Sequence, residues 1–185
     1  MIPINPKPTI VVNYNHTLTQ LDGIIPYEVC DSCVRDSLPN FQRGKSKHEH
    51  LWKAQFDSTQ ILNEGHIIYK TLNNFWNEFI QKTNIQINFI EPYEIKKYIV
   101  GDFFDSHRDN YFVLDDKIDR KINLIIQLSA GEEYTGGDLK IGNKTISRNK
   151  GTVVLFPATY MHEVTKITEG IRYSLIGHAW GPNWI

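Results

Sequence analysis

Apolar residues recur at two spacings along the chain, and the spacing changes near Asn84. Upstream, Val29, Cys30, Cys33, Val34 and Leu38 fall three and four residues apart, as on one helical face. Pro26 precedes them, where its missing N–H costs a helix nothing, so a helix over about 26–38 is predicted. Ile61, Leu62, Tyr69, Leu72, Phe75, Trp76, Phe79 and Ile80 keep a second, longer stripe, for which Asp57 is an acceptable N-cap. The β-branched run Thr9–Asn15 reads as a first strand, and the polar segment Pro39–Glu49 as a loop or an edge hairpin.

Downstream the pattern shortens to strands: Ile85–Ile90, Tyr93–Val100, Lys121–Leu128, Leu139–Ile141, Gly151–Phe156, Glu163–Ile167 and Ile171–Trp180. Turn chemistry separates them, at Glu91-Pro92, Thr135-Gly136-Gly137-Asp138, Ile141-Gly142-Asn143-Lys144 and Glu169-Gly170. Helices followed by many short strands predict an α+β fold, with a double-sheet jelly roll as the best-fitting architecture. A length of 185 residues suits one domain. Residues 1–84 then supply a strand and support helices, and 85–185 the jelly roll.

Charge narrows the function. Twenty basic and 21 acidic side chains leave a net charge of −1, too little for general nucleic-acid binding. No apolar run reaches the ~20 residues that span a bilayer, and the first eight residues lack the apolar core of a secretion signal. A cytoplasmic location without membrane contact is expected. Oligomeric state is not legible. Two cysteines cannot build a disulfide scaffold. Cys30-Asp31-Ser32-Cys33 has no second C-x-x-C, and both thiols fall on the apolar face of the first helix, so they read as core. Asn15-His16-Thr17 and Asn143-Lys144-Thr145 match the glycosylation pattern but read as turn residues.

The candidate chemistry lies in three places. His107 and Asp109 are two apart, so on an extended segment both project to one face. His162 stands at a later strand edge. Two imidazoles and one carboxylate match the facial triad of non-haem Fe(II) oxygenases, which leaves positions open for a co-substrate and O₂. Arg172 lies on the final strand, and Ser174 shares its face. A guanidinium among Ile171, Leu175 and Ile176 needs an anion, and its fork suits a carboxylate. Taken singly, each histidine reads more simply as structural, and Arg172 as the partner of a surface carboxylate; the ordered set outweighs those readings.

His107-Arg108-Asp109, Tyr134-Thr135-Gly136-Gly137-Asp138-Leu139, Gly151-Thr152-Val153-Val154-Leu155-Phe156-Pro157, His162-Glu163-Val164-Thr165 and Gly170-Ile171-Arg172-Tyr173-Ser174 together resemble the Fe(II)/2-oxoglutarate-dependent dioxygenase superfamily. The likeness is to its prolyl-4-hydroxylase-like branch of bacterial and phage type, over about Tyr93 to the C-terminus. It implies a double-stranded β-helix with helices on one sheet. It also implies Fe(II) as cofactor, 2-oxoglutarate and O₂ as co-substrates, and ascorbate as an optional reductant. By the same resemblance His107, Asp109 and His162 hold iron, and Arg172 grips the distal carboxylate of 2-oxoglutarate. Ser174, Tyr98 and Gln127 are helpers in that grip. Alternation places Asn123, Ile125 and Gln127 on one face. His178 shares the Arg172 face where relatives often carry Trp, and its role stays open.

The implied reaction is hydroxylation of an unactivated C–H with release of succinate and CO₂, preferentially at a prolyl residue of a peptide or protein. Two alternatives stand beside it: oxidation of a free amino acid or other small molecule by the same iron centre, and a silent jelly-roll module that keeps a metal for structure. Tyr111–Asp119 reads as a lid, whose Asp115, Asp116 and Asp119 suit a basic substrate segment or plain solvation. Trp180 and Trp184 line the barrel mouth or cap its end.

Overall fold

A computed structural model describes residues 18–45, 53–61, 63–83, 85–110 and 118–182. The order is β1 (Thr19–Leu21), α1 (Tyr27–Ser37), β2 (Gln42–Lys45), β3 (Ala54–Gln60), α2 (Ile67–Thr83), β4 (Phe89–Ile90), β5 (Glu94–Tyr98), β6 (Phe103–His107) and β7 (Ile118–Gln127). Then come β8 (Tyr134–Gly136), β9 (Leu139–Ile141), β10 (Lys144–Thr145), β11 (Val153–Pro157), β12 (His162–Val164), β13 (Ile167–Gly170) and β14 (Arg172–Pro182).

All pairings among these strands are antiparallel. The main sheet runs β1-β11-β7-β14-β5-β3-β6-β12-β9-β10, and β13 pairs with β8 separately. The sheet curls until its two halves face each other across a cavity, a shape consistent with a jelly roll.

Alternation along the long strands creates two cores. Ile122, Leu124, Ile126, Leu175 and Ala179 join Val29, Cys30, Cys33, Leu72 and Trp76 in one buried cluster. Trp76 Nε1 donates to the Tyr93 hydroxyl at 3.1 Å, so the indole's polar atom is satisfied inside it. The opposite faces supply Tyr98, Ile125, Val154, Phe156 and Ile176, clustered with Leu139, Ile141 and Val164 of the facing strands. Both cysteines are free and buried, and burial pushes their thiols up to about 11 and about 12, as inert core residues. No helix among the described residues is long and apolar enough to cross a membrane.

Several expectations are corrected. The second helix does not begin after Asp57: Ala54–Gln60 is strand β3, held between β5 and β6. Pairing on both edges and burial of Phe56 outweigh the helical spacing of its neighbours. Asp57 accepts from Arg43 on β2 at 3.1 Å instead of capping a helix. The helix starts at Ile67, where the His66 ring Nδ1 accepts from the Ile68 N–H at 3.2 Å. Of Ile85–Ile90 only Phe89–Ile90 forms a strand, paired with β14, while the Asn88 N–H also donates to Trp180 O at 2.7 Å. Glu163–Ile167 divides between β12 and β13, which lie in different sheets, because Thr165 N–H bonds Asp138 in between. Thr135 and Gly136, the first half of the turn predicted over Thr135–Asp138, belong to strand β8. The predicted strand Thr9–Asn15, Asn15-His16-Thr17, residues 111–117 of the expected lid and Trp184 lie outside the described residues. Ile118 and Asp119 belong to β7.

Candidate active site

Strand β6 ends on His107 and β12 begins on His162, and the two are direct cross-strand partners. Asp109 lies two residues past β6, its N–H donating to Ala158 O at 2.9 Å. That bond brings the bend after β6 against the turn before β12. The result is convergence: one donor atom from each of His107, Asp109 and His162 lies within 4.8 Å of the others. His107 Nε2 is 3.6 Å from Asp109 Oδ1, and His162 Nε2 is 3.4 Å from Asp109 Oδ2.

Each imidazole is oriented by its own chain. His107 Nδ1 meets Asp105 O at 2.8 Å, and His162 Nδ1 meets Tyr160 O at 3.1 Å. A carbonyl accepts only, so each Nδ1 carries the proton and each Nε2 lone pair turns toward Asp109. Phe104 stacks on the His107 ring with centroids 3.8 Å apart. Burial, with the His162 imidazole beside it, pushes His107 down to about 3. Burial alone would raise Asp109, yet His162, His178, His107 and Arg120 together hold its carboxyl well below the usual range. The cluster therefore presents a neutral His107 nitrogen and an Asp109 anion at neutral pH, with the His162 Nε2 turned toward the same carboxylate.

Across the cavity, Arg172 of β14 is 1% exposed. Its Nη2 donates to Gln127 Oε1 at 2.9 Å and its Nη1 to Ser174 Oγ at 3.3 Å, while the guanidinium lies 5.3 Å from the Tyr98 ring centre. Among the described residues no carboxylate pairs with it, and its buried Nε has no partner. Register explains the group: Arg172 faces Tyr98 on β5, and Ser174 faces Gln127 on β7. Gly137 leaves room for it, since a Cβ there would stand 3.2 Å from Arg172 Cδ and 2.2 Å from Ile167 Cδ1.

The cavity between the two clusters measures about 520 Å³ and is lined by His107, Asp109, His162, Tyr98, Arg172 and Ser174, among others. Gln127 stands behind Arg172, with its Nε2 donating to Ser147 O. Three lining residues were not picked out from the sequence. Asn123 Nδ2 donates to Asp109 Oδ2 at 2.7 Å. Lys96 sits with Nζ 4.5 Å above the Phe56 ring. Arg120 makes a forked pair with Glu91, which also accepts from Trp180 Nε1. Position i−2 from Tyr98 on a strand was the available signal for Lys96.

The model of the 2OG-Fe(II) oxygenase superfamily matches residues 93–180. The match covers 88 of the chain's 185 residues, and over that stretch the chain is similar to this superfamily. A PKHD-type hydroxylase of Synechococcus is 34% identical over 88 residues, 44% of this chain and 39% of that protein. The chain thus spans well under half the length of that curated relative. The viral collagen prolyl hydroxylase of Paramecium Bursaria Chlorella virus-1, solved as a 2OG complex, superposes with TM-score 0.73 at 18% identity, over 89% of this chain and 96% of its own. A prolyl hydroxylase from Trichoplax adhaerens, in complex with a hypoxia inducible factor peptide fragment, gives 0.69 at 16%, over 89% and 84%. These two share the fold of this chain.

The buried imidazoles make acid stability predictable for the metal-free protein. His107 and His178 both sit near 3 when folded, against about 6.5 unfolded. Between those values the unfolded chain binds protons that the native state does not. Stability is therefore full above about pH 6.5 and falls as pH drops toward 3, by up to ~1.4 kcal/mol per unit for each ring. Urea midpoints at pH 7, 6 and 5 should fall steadily, and His178→Gln should flatten the slope. A midpoint independent of pH would refute the neutral-ring picture.

Proposed function

We propose that the chain is an Fe(II)- and 2-oxoglutarate-dependent dioxygenase that hydroxylates an unactivated C–H, with a prolyl residue in a peptide or protein as its target. One observation carries this reading: a two-histidine, one-carboxylate cluster shares a cavity with a buried guanidinium that pairs with no carboxylate among the described residues. The donor set fits ferrous iron, and the orphaned Nε fits a missing anion.

His107, Asp109 and His162 would hold the iron, and Arg172 the distal carboxylate of 2-oxoglutarate. Bound iron, with 2-oxoglutarate and O₂, would supply the oxidative decarboxylation that drives hydroxylation, ascorbate serving as optional reductant. The chain's own contribution is orientation. Backbone carbonyls aim both Nε2 atoms, and Gln127 and Ser174 hold the guanidinium in plane. Tyr98, whose hydroxyl burial keeps protonated, stands ready as a donor to the same carboxylate. Phe104, Ile125, Val164 and Ile176 line the cavity and exclude water.

The cavity shares Gly44, Ser58, Gln60 and Glu94 with an adjoining open groove of about 1200 Å³. A groove running out of the site favours an extended peptide over a free amino acid. The test is turnover with Fe(II), 2-oxoglutarate and proline-containing peptides. Succinate release coupled to gain of one oxygen atom by the peptide is expected. Oxidation of free amino acids alone would select the small-molecule alternative, and no turnover of any substrate the silent module.

A further inference from the structure

Asn123 links the proposed iron cluster to His178. It is 1% exposed on the inner face of β7, and His178 is its cross-strand partner on β14. Its amide nitrogen donates to Asp109 Oδ2 at 2.7 Å, and its Oδ1 lies 2.9 Å from His178 Nδ1. These contacts leave no freedom in the direction of the bonds. An ionised carboxylate only accepts, so the amide must turn its nitrogen toward Asp109. The amide oxygen, which also only accepts, then faces His178 and requires the proton on Nδ1.

Burial, with Arg120 nearby, pushes His178 down to about 3, so the ring carries one proton at neutral pH. With that proton on Nδ1, Nε2 is bare. The ring lines the cavity, and Nε2 has no partner among the described residues.

The geometry points to His178 as a specificity-determining residue whose bare Nε2 accepts a hydrogen bond from an N–H of the primary substrate. The inference rests on the hydroxylase reading above. A prolyl nitrogen within a chain carries no hydrogen, so in a peptide the donor is the backbone amide of the residue that follows proline. In a free amino acid the donor is the ammonium group. A substrate without the donor leaves the imidazole nitrogen desolvated and unpaired, a cost that lowers kcat/KM rather than metal affinity. Asn123 acts through His178 and is a positioning residue for it.

Two measurements test this. In zinc-loaded, ¹⁵N-histidine-labelled protein with 2-oxoglutarate at pH 7, long-range ¹⁵N–¹H correlations should show His178 protonated at Nδ1 and bare at Nε2. The signal is assigned by its loss in His178→Gln. Asn123→Leu should release the proton toward Nε2. Protonation at Nε2 in the parent protein, or no change in Asn123→Leu, overturns the inference.

The second measurement compares an acetylated, amidated Gly-Pro-Gly peptide, its twin N-methylated after proline, and L-proline, by kcat/KM for succinate release. The methylated peptide should be poorer by at least ~10-fold in the parent protein. That ratio should fall to near one in His178→Phe and persist in His178→Gln, which keeps an acceptor. Equal use of the twins by the parent overturns a peptide amide as donor. L-proline used in place of both peptides, with its turnover lost in His178→Phe and kept in His178→Gln, supports the ammonium as donor. Turnover of none of the three, with zinc and 2-oxoglutarate still bound, overturns the prolyl reading and leaves the tautomer measurement to decide His178.

Discussion

Arg172→Ala should weaken 2-oxoglutarate binding by roughly 30-fold or more, while affinity for Mn(II) or Zn(II) changes little. Truncating one partner of a buried, hydrogen-bonded charge pair costs about 2–5 kcal/mol, and about 1.4 kcal/mol is tenfold. The lower end of that range applies if Tyr98 and Ser174 still hold the carboxylate. Stability separates this from simple damage. Without ligand, Arg172 is a desolvated cation facing no carboxylate among the described residues, so its removal should cost the folded apo state little beyond the space it filled. With ligand, the parent protein should gain thermal stability as 2-oxoglutarate is added, and the variant should not at the same concentrations. Parallel loss of metal and 2-oxoglutarate affinity would show that Arg172 supports the fold rather than the co-substrate.

The sequence made the ends of this site readable and hid its middle. His107 and Asp109 are neighbours in the chain, and Arg172 and Ser174 share a strand, so spacing alone places each pair on one face. Bringing His162 to His107 depends on cross-strand register, which no local pattern encodes; the ordered motif set stood in for it. The Asn123–His178 link joins residues 55 apart and needs a polar side chain opposite another on adjacent strands, so it emerges only from the β7–β14 register. Strand β3 shows the opposite failure. Asp57 ahead of an apolar run looks like a capped helix, but two strand partners outweigh that preference. The α+β class was legible because strand alternation survives in β7, where Ile122, Leu124 and Ile126 turn to one core and Asn123, Ile125 and Gln127 to the other face.

Asp109→Ala should cost the most of any single change. It removes the only anion of the cluster, and two neutral imidazoles then face a divalent cation without charge compensation. It also strands the Asn123 amide N–H, which loses its acceptor inside the cavity wall. Loss of residues that merely orient ligands weakens metal binding by about 10–100-fold, so loss of a ligand and its charge should exceed that range. Mn(II) binding followed by electron paramagnetic resonance should therefore show little bound metal at concentrations that saturate the parent, with succinate release abolished. Asp109→Asn separates the two effects. It keeps an oxygen near both imidazoles but removes the charge, so a metal deficit close to that of Asp109→Ala assigns the loss to electrostatics. Near-normal metal affinity in either variant would mean that the cation, if bound, sits elsewhere, and the iron-site assignment would fall with it.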